Sequence, residues 1–308
     1  MRSFFLSFCL PAVLLCLSVV TMTANGARFM HNFLRGQPPV ASENDLWPWL
    51  WLSRHPHLFS TGLAFSLTLL GILLVHEFGH YFACRAHGID CTLPFVIPAP
   101  TLSGTLGAVI RITSFIPDRD ALMDVGIYGP LAGFIASIAA VSVGFTLSVP
   151  LAPRAPGPIV EFGGEPLIIR LVHRLLLGGN PHLHPFNHLA LHPVLLAGWI
   201  GLFITALNLI PGGQLDGGHI LYALSPRLHK FFTNLLPFVL FLSGVFYWAG
   251  WILWGIFLLI PAMRHPKVPI QTQLSATRAL LGMLGVFVFL LTFTPTPFHD
   301  NSLLDLLR

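Results

Sequence analysis

Charge is what this sequence lacks. Only 9% of its 308 residues are Asp, Glu, Lys or Arg, against about 25% in soluble globular domains. Glutamate is especially scarce: the chain has Glu43, Glu77, Glu161 and Glu165 and no other. Its sixteen Lys and Arg form no run, which excludes a nucleic-acid footprint. The four cysteines, Cys9, Cys16, Cys84 and Cys91, make no CxxC pair and read as small apolar side chains or idle thiols. No internal repeat is visible, which weighs against transporter folds built from repeats. No stretch between apolar runs is long enough for an inserted domain of ordinary size.

What is present is apolar. Hydrophobic residues make up 54% of the chain, with 26 Phe and 7 Trp, a composition of the membrane class. A spanning helix needs about 20 apolar residues. Phe4–Thr23, Leu58–Ala83, Met123–Val149 and His192–Ile210 meet that length, and Phe231–Ala262 reads as two short spans turning near Gly250. Ala279–Thr294 is the weakest run. The expectation is one all-α polytopic membrane domain over residues 1–308 with about six or seven helices. The first run follows Met1-Arg2, and Ala24-Asn25-Gly26-Ala27 has the look of a signal-peptide cleavage site. The 40-residue Leu151–Leu191 stretch and Arg264–Arg278 read as linkers. With the N-terminus inside, inner segments carry nine Lys and Arg and outer segments seven, a mild bias in the sense of the positive-inside rule.

One span carries chemistry. His76-Glu77-Phe78-Gly79-His80 puts two imidazoles at i and i+4, about 40° apart on one helix face, where both can hold one metal ion. Glu77 lies between them and can accept a proton from water at that ion. Ionisable groups at this depth cost several kcal/mol unless paired or wet, so the trio reads as functional. Zinc wants a third ligand and an open position. Asp216, in Asn208-Leu-Ile-Pro-Gly-Gly-Gln-Leu-Asp-Gly-Gly-His219, is the candidate. On local chemistry it reads equally well as the cap of a Pro-Gly turn. Residues 104–112 combine small side chains with an alternation suited to a strand. His182, His184, His188 and His192 cluster in the Pro-rich linker and read as a polar loop rather than a metal site.

His76–His80, Gly129-Pro130-Leu131-Ala132-Gly133 and Asn208–Gly218 occur in the order and spacing of the site-2 protease family of intramembrane metalloproteases, and the chain resembles that family over about residues 58–224. Gly104–Arg111 and Gln214–Gly218 resemble the branch with plant chloroplast members. The resemblance implies a three-helix catalytic core, a retained first helix and a small membrane-associated β-hairpin near residues 93–112. It implies one Zn2+ per chain held by His76, His80 and Asp216, with Glu77 as the catalytic base. Asn208 would meet the substrate or oxyanion, and Gly104, Thr105, Leu106 and Gly107 would meet the substrate backbone. The family's PDZ and CBS domains have no counterpart in the sequence. The expected partner is a single-pass transmembrane protein or a signal-peptide remnant, in a bilayer taken to be a bacterial inner membrane with the site towards the cytoplasm. The rival readings are a membrane di-iron oxygenase or desaturase and a solute transporter.

Overall fold

A computed structural model describes residues 9–152, 157, 160, 162, 164–178, 189–263, 265–266, 268, 273–298 and 301–307. His182, His184 and His188 lie outside the described residues, as do parts of both linkers.

The apolar runs form helices. Helix α1 spans Leu10–Leu34, α2 Leu63–Ala86, α3 Arg119–Leu147, α4 Leu167–Leu177, α5 Pro193–Asn208, α6 Asp216–Leu224, α7 Pro226–Phe246, α8 Gly250–Leu259 and α9 Ala276–Thr292. Four helical segments, Leu10–Leu34, Pro56–Ala86, Arg119–Leu147 and Pro226–Phe246, are long and apolar enough to cross a membrane. Three shorter apolar helices, α5, α8 and α9, accompany them. The ten residues of α8 rise about 15 Å, half the ~30 Å hydrocarbon core. It packs back on α7, as the paired short spans require.

The core is α2, α3 and α5 in mutual contact. Between α2 and α3 lies a hairpin of β1 (Phe95–Pro98) and β2 (Thr105–Val109), antiparallel, with Phe95 facing Val109 and Ile97 facing Gly107. The expected hairpin is therefore present. One face of α1 holds it. Ser18 Oγ donates to the Val96 carbonyl at 3.2 Å, Thr21 Oγ1 to Gly104 O at 2.6 Å, and Asn25 Nδ2 to the carbonyls of Thr101 and Leu102 at 2.8 and 3.1 Å. These residues recur at i, i+3 and i+7, one stripe of a helix.

The segment Ala24–Ala27 is buried mid-helix in α1, where its small residues let α1 approach Gly62 and Phe65. One expectation changes. The 151–191 stretch is not all linker. Leu167–Leu177 forms a helix whose Ile168, Ile169 and Val172 are buried. Its apolar residues recur on one face, a pattern that Pro, Gly and His on either side obscure.

Candidate metal centre

The centre forms where α2, α3 and the start of α6 meet. His76, Glu77 and His80 project from α2 and are buried, with 4%, 5% and 6% of their surface exposed. Two glycines of α3 make room for the imidazoles. A Cβ on Gly129 would fall 2.1 Å from His80 Nε2, and one on Gly133 would fall 2.8 Å from His76 Nδ1. This is the reason that Gly129-Pro130-Leu-Ala-Gly133 faces the histidine pair: only a surface without side chains lets α3 come so close.

Asp216 arrives by a different route from the one its sequence suggests. Helix α5 ends at Asn208. The chain then reverses through Pro211, Gly212 and Gly213, the last at φ 60°. Asp216 is the first residue of α6 rather than a residue closing the span before it. The unpaired N–H groups of a helix start favour a carboxylate there.

Three ligand atoms converge. His76 Nε2 and His80 Nε2 lie 3.0 Å apart, and each lies 3.3 Å from Asp216 Oδ2. A tetrahedral zinc with bonds of 2.0–2.2 Å has ligand-to-ligand edges of roughly 3.3–3.6 Å; the two His-to-Asp separations match this, and the His-to-His one needs only a small parting of the rings. His80 Nδ1 lies 2.6 Å from the Val125 carbonyl. A carbonyl only accepts, so Nδ1 carries the proton and Nε2 presents its lone pair to the centre, the usual support for a metal-binding imidazole. Asp216 Oδ2 is buried and accepts no hydrogen bond. Bare acceptors gathered in this way fit a cation. Among the described residues this is the one group of three His, Cys, Asp or Glu side chains so gathered.

The centre opens into a cavity of about 630 Å³ lined also by Glu77, Asn208, Gln214 and His219. Asn208 Nδ2 stands 3.2 Å from His76 Nε2. Ile110, just past β2, lines the same cavity as Glu77. The hairpin reaches the cavity further along than the sequence suggests. Ala108–Ile112 line it, whereas Gly104–Gly107 do not. Gly104 lies in the turn against Met22 of α1 with φ 79°. Thr105 is buried with its hydroxyl on Ile97 O. Leu106 is 71% exposed, and Gly107 has open space around it at φ 106°. Small residues mark the turn of a hairpin as readily as its working edge, and the sequence does not separate the two. Pro266 and Val268 of the last connector also line the cavity; the sequence marks that stretch only as a linker.

Comparison with known proteins agrees with this geometry. Peptidase family M50 matches residues 64–247, from α2 through α7. "Probable zinc metalloprotease EGY1, chloroplastic" of Oryza sativa subsp. japonica is 34% identical over 252 residues, covering 80% of this chain and 42% of its own length. The protein of the same name from Arabidopsis thaliana is 32% identical over 241 residues, covering 76% and 43%. "Probable zinc metalloprotease EGY2, chloroplastic" of Arabidopsis thaliana is 31% identical over 277 residues, covering 86% and 47%. The chain thus spans less than half the length of these relatives. With two histidines, a glutamate and an aspartate gathered inside the matched segment, the chain belongs to peptidase family M50, the site-2 protease family, and is homologous to the plant EGY proteins.

Proposed function

We propose that the chain is an intramembrane zinc endopeptidase. The observation that carries this reading is the convergence of His76 Nε2, His80 Nε2 and Asp216 Oδ2 at 3.0–3.3 Å, with Glu77 in the same cavity. Among the described residues a single set is so gathered, which suits a mononuclear site.

His76, His80 and Asp216 would hold the ion. Zinc bound there supplies Lewis acidity for the scissile carbonyl and for water. The chain's own groups do the rest. His80, fixed by Val125 O, keeps its Nε2 lone pair aimed at the centre. The Glu77 carboxylate takes a proton from the attacking water and later delivers it to the leaving nitrogen. Asn208 Nδ2 offers a donor to the developing oxyanion. A peptide bond in a helical substrate is shielded, so the substrate binds locally extended. The Ala108–Ile112 edge of the hairpin offers main-chain groups for such a strand by β-augmentation.

The substrate class is a single-span membrane protein or a signal-peptide remnant cut near the membrane face. With the N-terminus inside, α2 ends inside and the cavity opens towards that more basic side. The membrane expected from sequence was a bacterial inner membrane. The relatives are named as chloroplastic proteins, which points to a chloroplast membrane instead.

Glu77→Gln tests the reading. The variant should fold and hold one zinc, while cleavage of a single-span substrate falls by at least the 10²–10⁴-fold of a lost general base. Cleavage at the wild-type rate in zinc-loaded Glu77→Gln protein would refute it.

A further inference from the structure

A second pair of imidazoles meets at the cavity, and the zinc centre does not use it. Asp216, His219 and Tyr222 recur every three residues along one face of α6. His265, from the connector after α8, lies on that face. Its ring stacks on Tyr222 at 4.2 Å and 10°, and meets the edge of His229 at 5.1 Å. Tyr222 also receives the N–H of Val268 on its hydroxyl at 3.4 Å. The connector is thereby strapped to α6, with Pro266 and Val268 in the cavity wall.

The hydrogen bonds fix where the protons sit. His265 Nδ1 is 2.7 Å from the Pro266 carbonyl, which can only accept, so Nδ1 is protonated. Burial, with His219 beside it, lowers the His265 pKa to about 3, so at neutral pH its Nε2 is a bare lone pair. His219 Nδ1 lies 2.8 Å from that atom and must donate to it. The neutral imidazole of His219 then keeps an unprotonated Nε2, the ring nitrogen that His265 does not engage, on a side chain that lines the cavity.

An extended polypeptide presents N–H groups alternately to its two sides. Pairing with Ala108–Ile112 satisfies one side. N–H groups on the other need acceptors once water is excluded, because a donor left unmet there loses its hydration without replacement. Glu77 and Asp216 are committed to the centre. We propose that His219 Nε2 is a subsite for one main-chain N–H of an extended substrate, with His265 as the positioning residue that holds His219 in the accepting tautomer. The inference rests on the peptidase reading and adds the group that the site recognises, a peptide N–H beside the scissile bond.

The test uses full-length, zinc-loaded Glu77→Gln protein and a fluorescent single-span peptide with a Leu/Ala membrane segment interrupted by Asn-Gly. Its amides near the break are replaced one at a time by esters, which removes a single N–H. One ester should weaken binding about two- to tenfold, the range of one net hydrogen bond. The same ester should cost nothing further when His219→Asn is added, since Asn can still reach His265 but has no atom at the Nε2 position. His219→Gln, which places an amide oxygen there, should recover part of the effect. Zinc content should stay at one per chain throughout. An ester penalty equal in both backgrounds, or loss of zinc in His219→Asn, would overturn the subsite and leave the peptidase reading standing. Failure of every peptide to bind would overturn both.

Discussion

Two polar clusters lie inside the helical bundle, both close to the end of α2, and they are built on opposite terms. In one, Asp124 of α3 receives Arg278 of α9 through Nε at 2.9 and 3.0 Å and Nη2 at 2.7 Å, and His87 Nε2 at 2.7 Å. Arg278 Nη1 also reaches Asp120 at 2.9 Å. Each charge meets its opposite and each acceptor has a donor. In the other, His76 Nε2, His80 Nε2 and Asp216 Oδ2 gather within 3.3 Å of one another, and the side-chain donor beside them is Asn208 Nδ2, 3.2 Å from His76 Nε2. Both clusters put ionisable groups in an apolar bundle, where burial costs several kcal/mol per uncompensated ion. The first recovers that cost internally and ties α9 to the core. The second is completed by a cation from outside. Ionisable residues in a membrane helix therefore do not by themselves mark a site; an unbalanced set of acceptors does.

The comparison breaks most visibly at Asp216. Asp216→Ala should weaken zinc by more than the 10–100-fold typical of lost outer-shell partners, with cleavage abolished. The unfolding midpoint of the metal-free protein should hold or rise, because the variant deletes a buried carboxylate oxygen that accepts no hydrogen bond. Metal analysis and thermal unfolding after chelation measure both. A marked drop in metal-free stability would make the trio a structural cluster like the one at Asp124.

The sequence exposed these two clusters unequally. His76, Glu77 and His80 share one helix, so their spacing alone places them together. Asp216 comes from 136 residues further along the chain than His80, and local chemistry left it open between ligand and turn cap. Only the family's motif order joined it to them. Asp124 was visible as a charge in a span, but its partner Arg278 was read only as a basic residue of the inner connector, and nothing local pairs positions 154 apart. The same limit explains the hairpin. Alternation marked a strand over residues 104–112 and the family resemblance implied the hairpin, while its placement depends on α1, whose Ser18, Thr21 and Asn25 hold its turn and first strand so that Ala108–Ile112 line the cavity. His265 shows the limit at its plainest: a connector residue becomes part of the site because Tyr222 gives it a flat face on which to stack.

Arg278→Met probes the closed cluster and should do the reverse of Asp216→Ala. It strands Asp124, which is 5% exposed, with His87 as its remaining partner. Breaking a buried pair costs about 3–5 kcal/mol. The Arg278 side chain keeps 30% exposure, so a loss of roughly 2–3 kcal/mol is expected. Zinc should remain at one per chain. Adding Asp124→Leu should restore much of the stability, since the orphaned carboxylate goes with it. Thermal unfolding of the single and double variants in the same detergent decides this. A single variant that keeps its stability but loses zinc would mean that the two clusters are coupled rather than separate.

The smallest effect belongs to a third cluster, a closed one where the last turns of α1 meet the loop that carries Asp45, and it sharpens the comparison through pH. Burial pushes the Asp45 carboxyl up, but Arg28, the Ala41 N–H and Asn32 outweigh it and hold the group below the ordinary carboxylate value. A depressed folded value means that ionised Asp45 stabilises the protein at every pH above about 4, the value in the unfolded chain. That stabilisation disappears as pH falls through the lower, folded value. Asp45→Asn should therefore cost about 1–2 kcal/mol at neutral pH, with the gap to wild type closing only below pH ~4. Unfolding midpoints at pH 7, 5 and 3 measure it. A gap that narrowed between pH 7 and 5 would assign the effect to a histidine instead, and His31, near Arg28 and Asp45, would be the first to replace. Zinc should track none of this, because a carboxylate already matched by its own donors has nothing left to offer a metal.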